Sequence, residues 1–168
     1  MTTATIASER RAAPVAAVRD RAFARFTLAS VALATLARLI ALFAVGFRDD
    51  EAYVVVLQRQ VALSYFDHPP LHHWILHVFA HAFGEGRVDR LPFLALNLAT
   101  GFALFGLARR LFGAATAWRT LFAFNACLYF LALPEGYILP DQPALAGLAF
   151  GVWAVAEGLY GPPGREGR

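Results

Sequence analysis

Four apolar stretches set the pattern of this chain, and its polar residues gather between them. They run from about Phe23 to Phe47, from Leu91 to Phe112, from Thr116 to Leu133, and from Ala144 to about Tyr160. A helix crossing a bilayer needs roughly 20 predominantly apolar residues at about 1.5 Å of rise each. Each stretch therefore predicts a transmembrane helix. The first is too long for the apolar part of a signal peptide and has no fitting small-residue cleavage site, so it is expected to remain in place. Arg109-Arg110 with Gly113 closes the second run, and Pro134 closes the third.

The connection between the first two runs has a pattern of its own. Tyr53 to Leu57 with Val61 to Leu63, interrupted by Gln58-Arg59-Gln60, predicts a short helix lying on the membrane surface. Pro69-Pro70 stops it, because proline removes a backbone donor and pushes the preceding residue toward extended geometry. A second short helix is predicted from Leu71 to Phe83, ended by Gly84 and Gly86 and too short to span. The expected fold is all-α: a polytopic membrane protein with about four transmembrane helices and two short interfacial helices in the first outer loop. Residues 1–21, rich in alanine and without an apolar period, predict a disordered cytoplasmic tail. Residues 22–160 form the transmembrane domain, and 161–168 a second polar cytoplasmic tail.

Composition agrees with a membrane setting. The chain is 58% hydrophobic and 16% charged, with a mean hydropathy of +0.51; soluble domains run at about 45–50% apolar and about 25% charged. Neither a Walker loop nor a dinucleotide-binding glycine fingerprint is present, which argues against a soluble nucleotide-binding module. All 15 basic residues are arginine, scattered mainly toward the ends of apolar runs and in the segments between them. That placement sets orientation and predicts no nucleic-acid partner. The N-terminal tail, Arg109-Arg110 and the C-terminal tail are expected on the cytoplasmic side. The Arg48 to Arg90 loop balances its arginines with Asp49, Asp50, Glu51, Asp67, Glu85 and Asp89. It is expected outside, together with Asp141. The single cysteine, Cys127, permits no disulfide within the chain.

These carboxylates are the candidate chemistry, because ionisable groups near the hydrocarbon persist where they face the interface or a polar cavity. Asp50 and Glu51 follow the first span, where partial dehydration favours a general base; the alternative is a cap on the following helix. Asp67-His68 precede the rigid diproline and suit a phosphate or a divalent cation, or else an Asx turn. His73, His77 and His81 share one helical face, a possible zinc geometry or an interfacial stripe, without the glutamate of a metalloprotease motif. Asp141 is a helix cap or a further acid at the same cavity. Arg38, inside the first run, either packs against a neighbour or lines that cavity.

Asp50-Glu51-Ala52-Tyr53, Asp67-His68-Pro69-Pro70-Leu71, Arg90-Leu91-Pro92 and Pro140-Asp141-Gln142-Pro143 resemble the amino-terminal part of glycosyltransferase family 39. The family includes protein O-mannosyltransferases and the aminoarabinose transferase of lipid A, and the resemblance covers about Arg48 to Tyr160. It implies a GT-C membrane glycosyltransferase that moves a sugar, with inversion, from a polyprenyl-phosphate carrier to an extracytoplasmic lipid, glycan or protein acceptor. It further implies a multi-pass protein of the inner (plasma) membrane with a cytoplasmic N-terminus. Asp50, with Glu51 beside it, takes the catalytic position. Asp67 takes a position that can bind a divalent metal ion, and His68, Arg90 and Asp141 bind the substrate and its carrier phosphate. Family members are usually much longer, which points to a truncated form. Two alternatives stay open on sequence: a non-catalytic four-span remnant or lipid-phosphate-binding module, and a metal carrier built on the histidines. Acids at the outer ends of spans, away from the midplane, disfavour the metal carrier.

Overall fold

The computed structural model describes residues 3–66, 68–127 and 138–160, with side chains from residue 18 onward. Its helices are α1 (Thr3–Ala44), α2 (Asp49–Leu57), α3 (Pro70–Phe83), α4 (Leu91–Phe112), α5 (Ala114–Ala126) and α6 (Asp141–Tyr160), with a 3-10 turn at Arg87–Arg90 leading into α4. The protein is all-α, and among the described residues three helical segments are long and apolar enough to cross a membrane: Val18–Ala44, Arg87–Phe112 and Asp141–Tyr160. The third apolar run of the sequence corresponds to α5 as far as Ala126; its remainder, 128–133, lies outside the described residues, as does the tail 161–168.

Two boundaries differ from expectation. The stretch 1–21, expected to be loose, is helical from Thr3. Alanine is the best helix former, and extending an existing helix avoids the cost of a new nucleus. The first surface helix starts at Asp49 rather than Tyr53. Asp49, Asp50 and Glu51 fill its first turn, where the helix dipole favours negative charge. Glu51 Oε2 also accepts from the Arg48 backbone N–H at 3.0 Å, satisfying a donor that the helix cannot.

Helix α4 lies between α5 and α6, and small residues set how closely they approach. A Cβ on Gly101 would meet Leu121 and Phe124 of α5 at 3.3–3.4 Å, and one on Gly106 would come within 2.5 Å of the Trp153 ring of α6. Buried Ala103 and Ala108 on α4 and Ala146, Ala149 and Ala156 on α6 continue this pattern. Lipid tails are as apolar as leucine, so helices in a bilayer associate through such close packing rather than through hydrophobic exclusion. Helix α1 packs along α5. There Arg38 is buried and donates from Nη1 to Asn125 Oδ1 at 3.2 Å. The arginine of the first apolar run thus packs against a neighbouring helix.

The joint between α4 and α5 is Gly113, at φ 87° and ψ 174°. A Cβ there would touch nothing within 4 Å, so the constraint is conformational. This region is costly for any residue with a side chain, about 1–3 kcal/mol. Gly113→Ala is expected to lower unfolding stability by that amount in a denaturation titration, whereas Gly147→Ala, also in open space but without a positive φ, should not.

Candidate functional site

The site rests on a buried ion pair. Arg90 ends the 3-10 turn ahead of α4 and is 1% exposed. Its Nε donates to Glu51 Oε1 at 2.8 Å, and its Nη2 to Glu51 Oε2 at 2.5 Å. Nη1 donates to the Leu42 and Val45 carbonyls, and Nη2 also to that of Gly46, all at 2.8–2.9 Å. A guanidinium has five N–H donors, and these bonds engage all five. The three carbonyls belong to the end of α1 and the residues just after it, where a helix leaves acceptors unpaired and a cation is favoured. The Arg90 guanidinium also lies over the Phe47 ring at 5.0 Å. Nearby, Arg87 Nη1 donates to the Phe43 carbonyl.

Glu51, also 1% exposed, is equally committed. Besides Arg90 and the Arg48 amide, its Oε1 accepts from the Ile138 backbone N–H at 3.4 Å. Ile138 joins Val54, Val55, Leu76 and Phe93 in the apolar cluster at this end of the bundle. One carboxylate therefore ties together α1, α2, α4 and the approach to α6. Glu51, expected at the catalytic position, and Arg90, expected on the carrier phosphate, are each bonded within the protein. Both hold the scaffold, because their hydrogen-bonding capacity is used within the protein.

Asp50 sits one position earlier on α2 and is exposed. Successive helical residues are about 100° apart, so Asp50 points away from the buried pair, while Tyr53, three residues on, shares its face. The Tyr53 ring lies 6.3 Å from that of His68, which is half-buried. Inward from His68 come His72 at 5.4 Å and His73 at 6.3 Å, and His73 packs at 3.9 Å from both His72 and Tyr65. His72 Nδ1 is 2.8 Å from the Pro69 carbonyl. The diproline thus anchors a ring stack that starts at the mouth of the loop. Asp67, the expected metal ligand, lies outside the described residues. Asp141 is the exposed first residue of α6, three positions after Ile138 and at the same end as Asp50.

The histidine stripe runs from a buried position at His73, through half-buried His77, to exposed His81. His73 is fully buried, and His77 Nδ1 is 2.9 Å from the Gln58 carbonyl, with His81 stacked on it at 4.9 Å. Among the described residues no group of three or more His, Cys, Asp or Glu is placed to hold a metal ion. Beside this stripe Arg59 clamps Glu85 through Nε at 2.9 Å and Nη2 at 2.6 Å, joined by Gln58 at 3.0 Å. These bonds, from Arg59 first, hold the Glu85 carboxyl below the usual carboxylate range and raise Arg59. The clamp pins the end of α2 to the end of α3.

Charge is sorted between the two ends of the bundle. Arg109 and Arg110 share a pocket with Glu157 near the end of α6, and Arg19 and Asp20 share one with Arg119 of α5. At the opposite end stand Asp50 and Asp141; of the arginines there, Arg87 and Arg90 bond to the end of α1 and Arg59 to Glu85.

Fold and site together define a multi-pass membrane protein whose spanning helices carry an acidic loop at one end. Residues 67–160 match the family model of dolichyl-phosphate-mannose-protein mannosyltransferases, and the chain belongs to that family. It is thereby a membrane glycosyltransferase of the GT-C type, as the sequence motifs imply, in a family that takes its sugar from a polyprenyl-phosphate donor. No curated protein and no solved structure matches the chain. Asp50 and Glu51 precede the matched range, yet Glu51 bonds to Arg90 and Ile138 inside it. The bonds of Glu51 attach the candidate base to the family region.

Proposed function

We propose that the chain transfers a sugar from a polyprenyl-phosphate carrier to an acceptor on the extracytoplasmic face, with inversion, at the acidic end of the bundle. The observation that carries this reading is the exposed Asp50 on a helix whose neighbouring residue is locked to three other segments. A general base works when a rigid scaffold holds it toward the proton it removes. Asp50 takes the proton from the acceptor hydroxyl as its oxygen attacks the anomeric carbon. The bond from that carbon to the phosphate oxygen breaks, and polyprenyl phosphate leaves. One displacement inverts the anomeric centre. A ring N–H of His68, at the mouth of the ring stack, donates to the departing phosphate and stabilises its growing charge.

Asp141 suits the sugar better than the phosphate, since a carboxylate repels a phosphate but accepts hydrogen bonds from hydroxyls. A divalent ion at Asp67 is not required by this scheme. The arginine-rich end would face the cytoplasm by the positive-inside rule, with the N-terminus, in an inner (plasma) membrane.

In a Cys127→Ser background, Leu63→Cys is expected to react with a membrane-impermeant maleimide on intact cells, and Ala114→Cys only after permeabilisation. The opposite pattern would place the acidic loop in the cytoplasm and end the proposal. With the purified protein in liposomes, release of polyprenyl phosphate from a panel of polyprenyl-phosphate sugars reads the reaction. If no member of the panel releases it above background, the transfer reading fails.

A further inference from the structure

A second pocket lies at the basic end, far from the acidic loop, and the proposed reaction makes no use of it. It is a cavity of about 340 Å³ between the last turns of α4 and α6. Its floor is aromatic: Trp153 meets Phe102 edge to face at 5.5 Å, with Phe105 beside it. Gly106 lets the Trp153 indole press against the backbone of α4, where any Cβ would collide with it. Its rim is charged, with Arg109 and Arg110 from α4 and Glu157 from α6.

The rim is not internally satisfied. Trp153 Nε1 holds one Glu157 oxygen at 3.3 Å, and the other oxygen stands 3.9 Å from Arg110 Nε, beyond hydrogen-bond length. Arg110 Nε is buried and has no hydrogen-bond partner among the described residues. Two arginines against one carboxylate leave a positive charge in excess at the level where two membrane-spanning helices end.

We infer that this pocket binds the phosphate of an anionic membrane phospholipid, with the arginines on the headgroup and an acyl chain along Phe102, Phe105 and Trp153. Arginine is suited to phosphate because its planar fork offers parallel donors. The aromatic wall selects a lipid over free phosphate. Phe102 lies seven residues before Arg109, about 10 Å down the helix toward the hydrocarbon, a span that inorganic phosphate cannot occupy.

The test is lipid retention by the full chain, delipidated in detergent and titrated with phosphatidylglycerol or phosphatidylcholine, read by native mass spectrometry and thermal shift. Phosphatidylglycerol should be retained about tenfold more strongly, on the scale of the attraction that two arginines exert on anionic lipid. The pair Arg109→Gln and Arg110→Gln should abolish that preference. Arg109→Lys with Arg110→Lys, which keeps the charge, should keep most of it, and Glu157→Gln should strengthen it. Equal retention of the two lipids, a preference unchanged in the double glutamine variant, or a weaker preference in Glu157→Gln would each overturn the inference. Displacement of phosphatidylglycerol by millimolar inorganic phosphate would overturn the lipid as the occupant.

Discussion

Asp50→Asn is expected to lower sugar transfer by about 10²–10⁴-fold, the usual contribution of a positioned general base, and to cost no more than about 0.5 kcal/mol of stability. Asp50 is exposed at the first turn of α2, and an exposed substitution away from a packed or bonded feature usually costs under about 0.5 kcal/mol. Asparagine keeps the shape and loses the basicity, so a fall in kcat with little change in the unfolding midpoint isolates the proton transfer. A variant that transfers sugar at the parent rate would remove Asp50 from the mechanism. The neighbouring residue supplies the control. If Glu51→Gln abolished transfer and left the midpoint intact, Glu51 would be the base and the assignment of the two adjacent acids would have to be exchanged.

The second large effect is structural. Glu51→Ala should destabilise the protein by about 3–5 kcal/mol, because it strands the Arg90 guanidinium in a buried site without its counter-charge. Arg90→Met alone should cost as much, since it leaves a buried carboxylate and frees the carbonyls of Leu42, Val45 and Gly46. The double variant Glu51→Leu with Arg90→Met should recover part of the loss. A buried ion pair can often be replaced by apolar residues of similar volume at little cost, but the three carbonyls would still lack their donor. Denaturant titration in detergent checks this. Single variants as stable as the parent protein would show that the pair does not hold the loop. Because α2 is fixed through Glu51, transfer activity should fall along with stability in these variants, unlike in Asp50→Asn.

Much of the framework was legible in the sequence. The expected second span, Leu91 to Phe112, coincides with α4, and the expected short helix from Leu71 to Phe83 is α3 with one residue added at Pro70. Both have strong local punctuation, a proline at the start and a glycine at the end, which acts within a few residues. The start of α2 was missed because the apolar pattern begins only at Tyr53, whereas the helix begins with the acidic turn that its dipole stabilises. Asp50, His68 and Asp141 stand out as candidates by residue type and motif alone. Glu51 and Arg90 stand out in the same way, but not as partners of each other. Their partnership joins residues 39 positions apart, and the link between Arg38 and Asn125 joins residues 87 apart. No local period records such distances.

The sequence by itself determined that this chain is a helical membrane protein with acids near one end of its spans, since span length, proline and glycine positions and arginine placement are local or compositional quantities. Only the tertiary structure decided which ionisable groups are available for chemistry. Burial and pairing depend on which helices meet, and the packing of α1, α2 and α4 turned Glu51 and Arg90 into a mutual lock while leaving Asp50 at the surface.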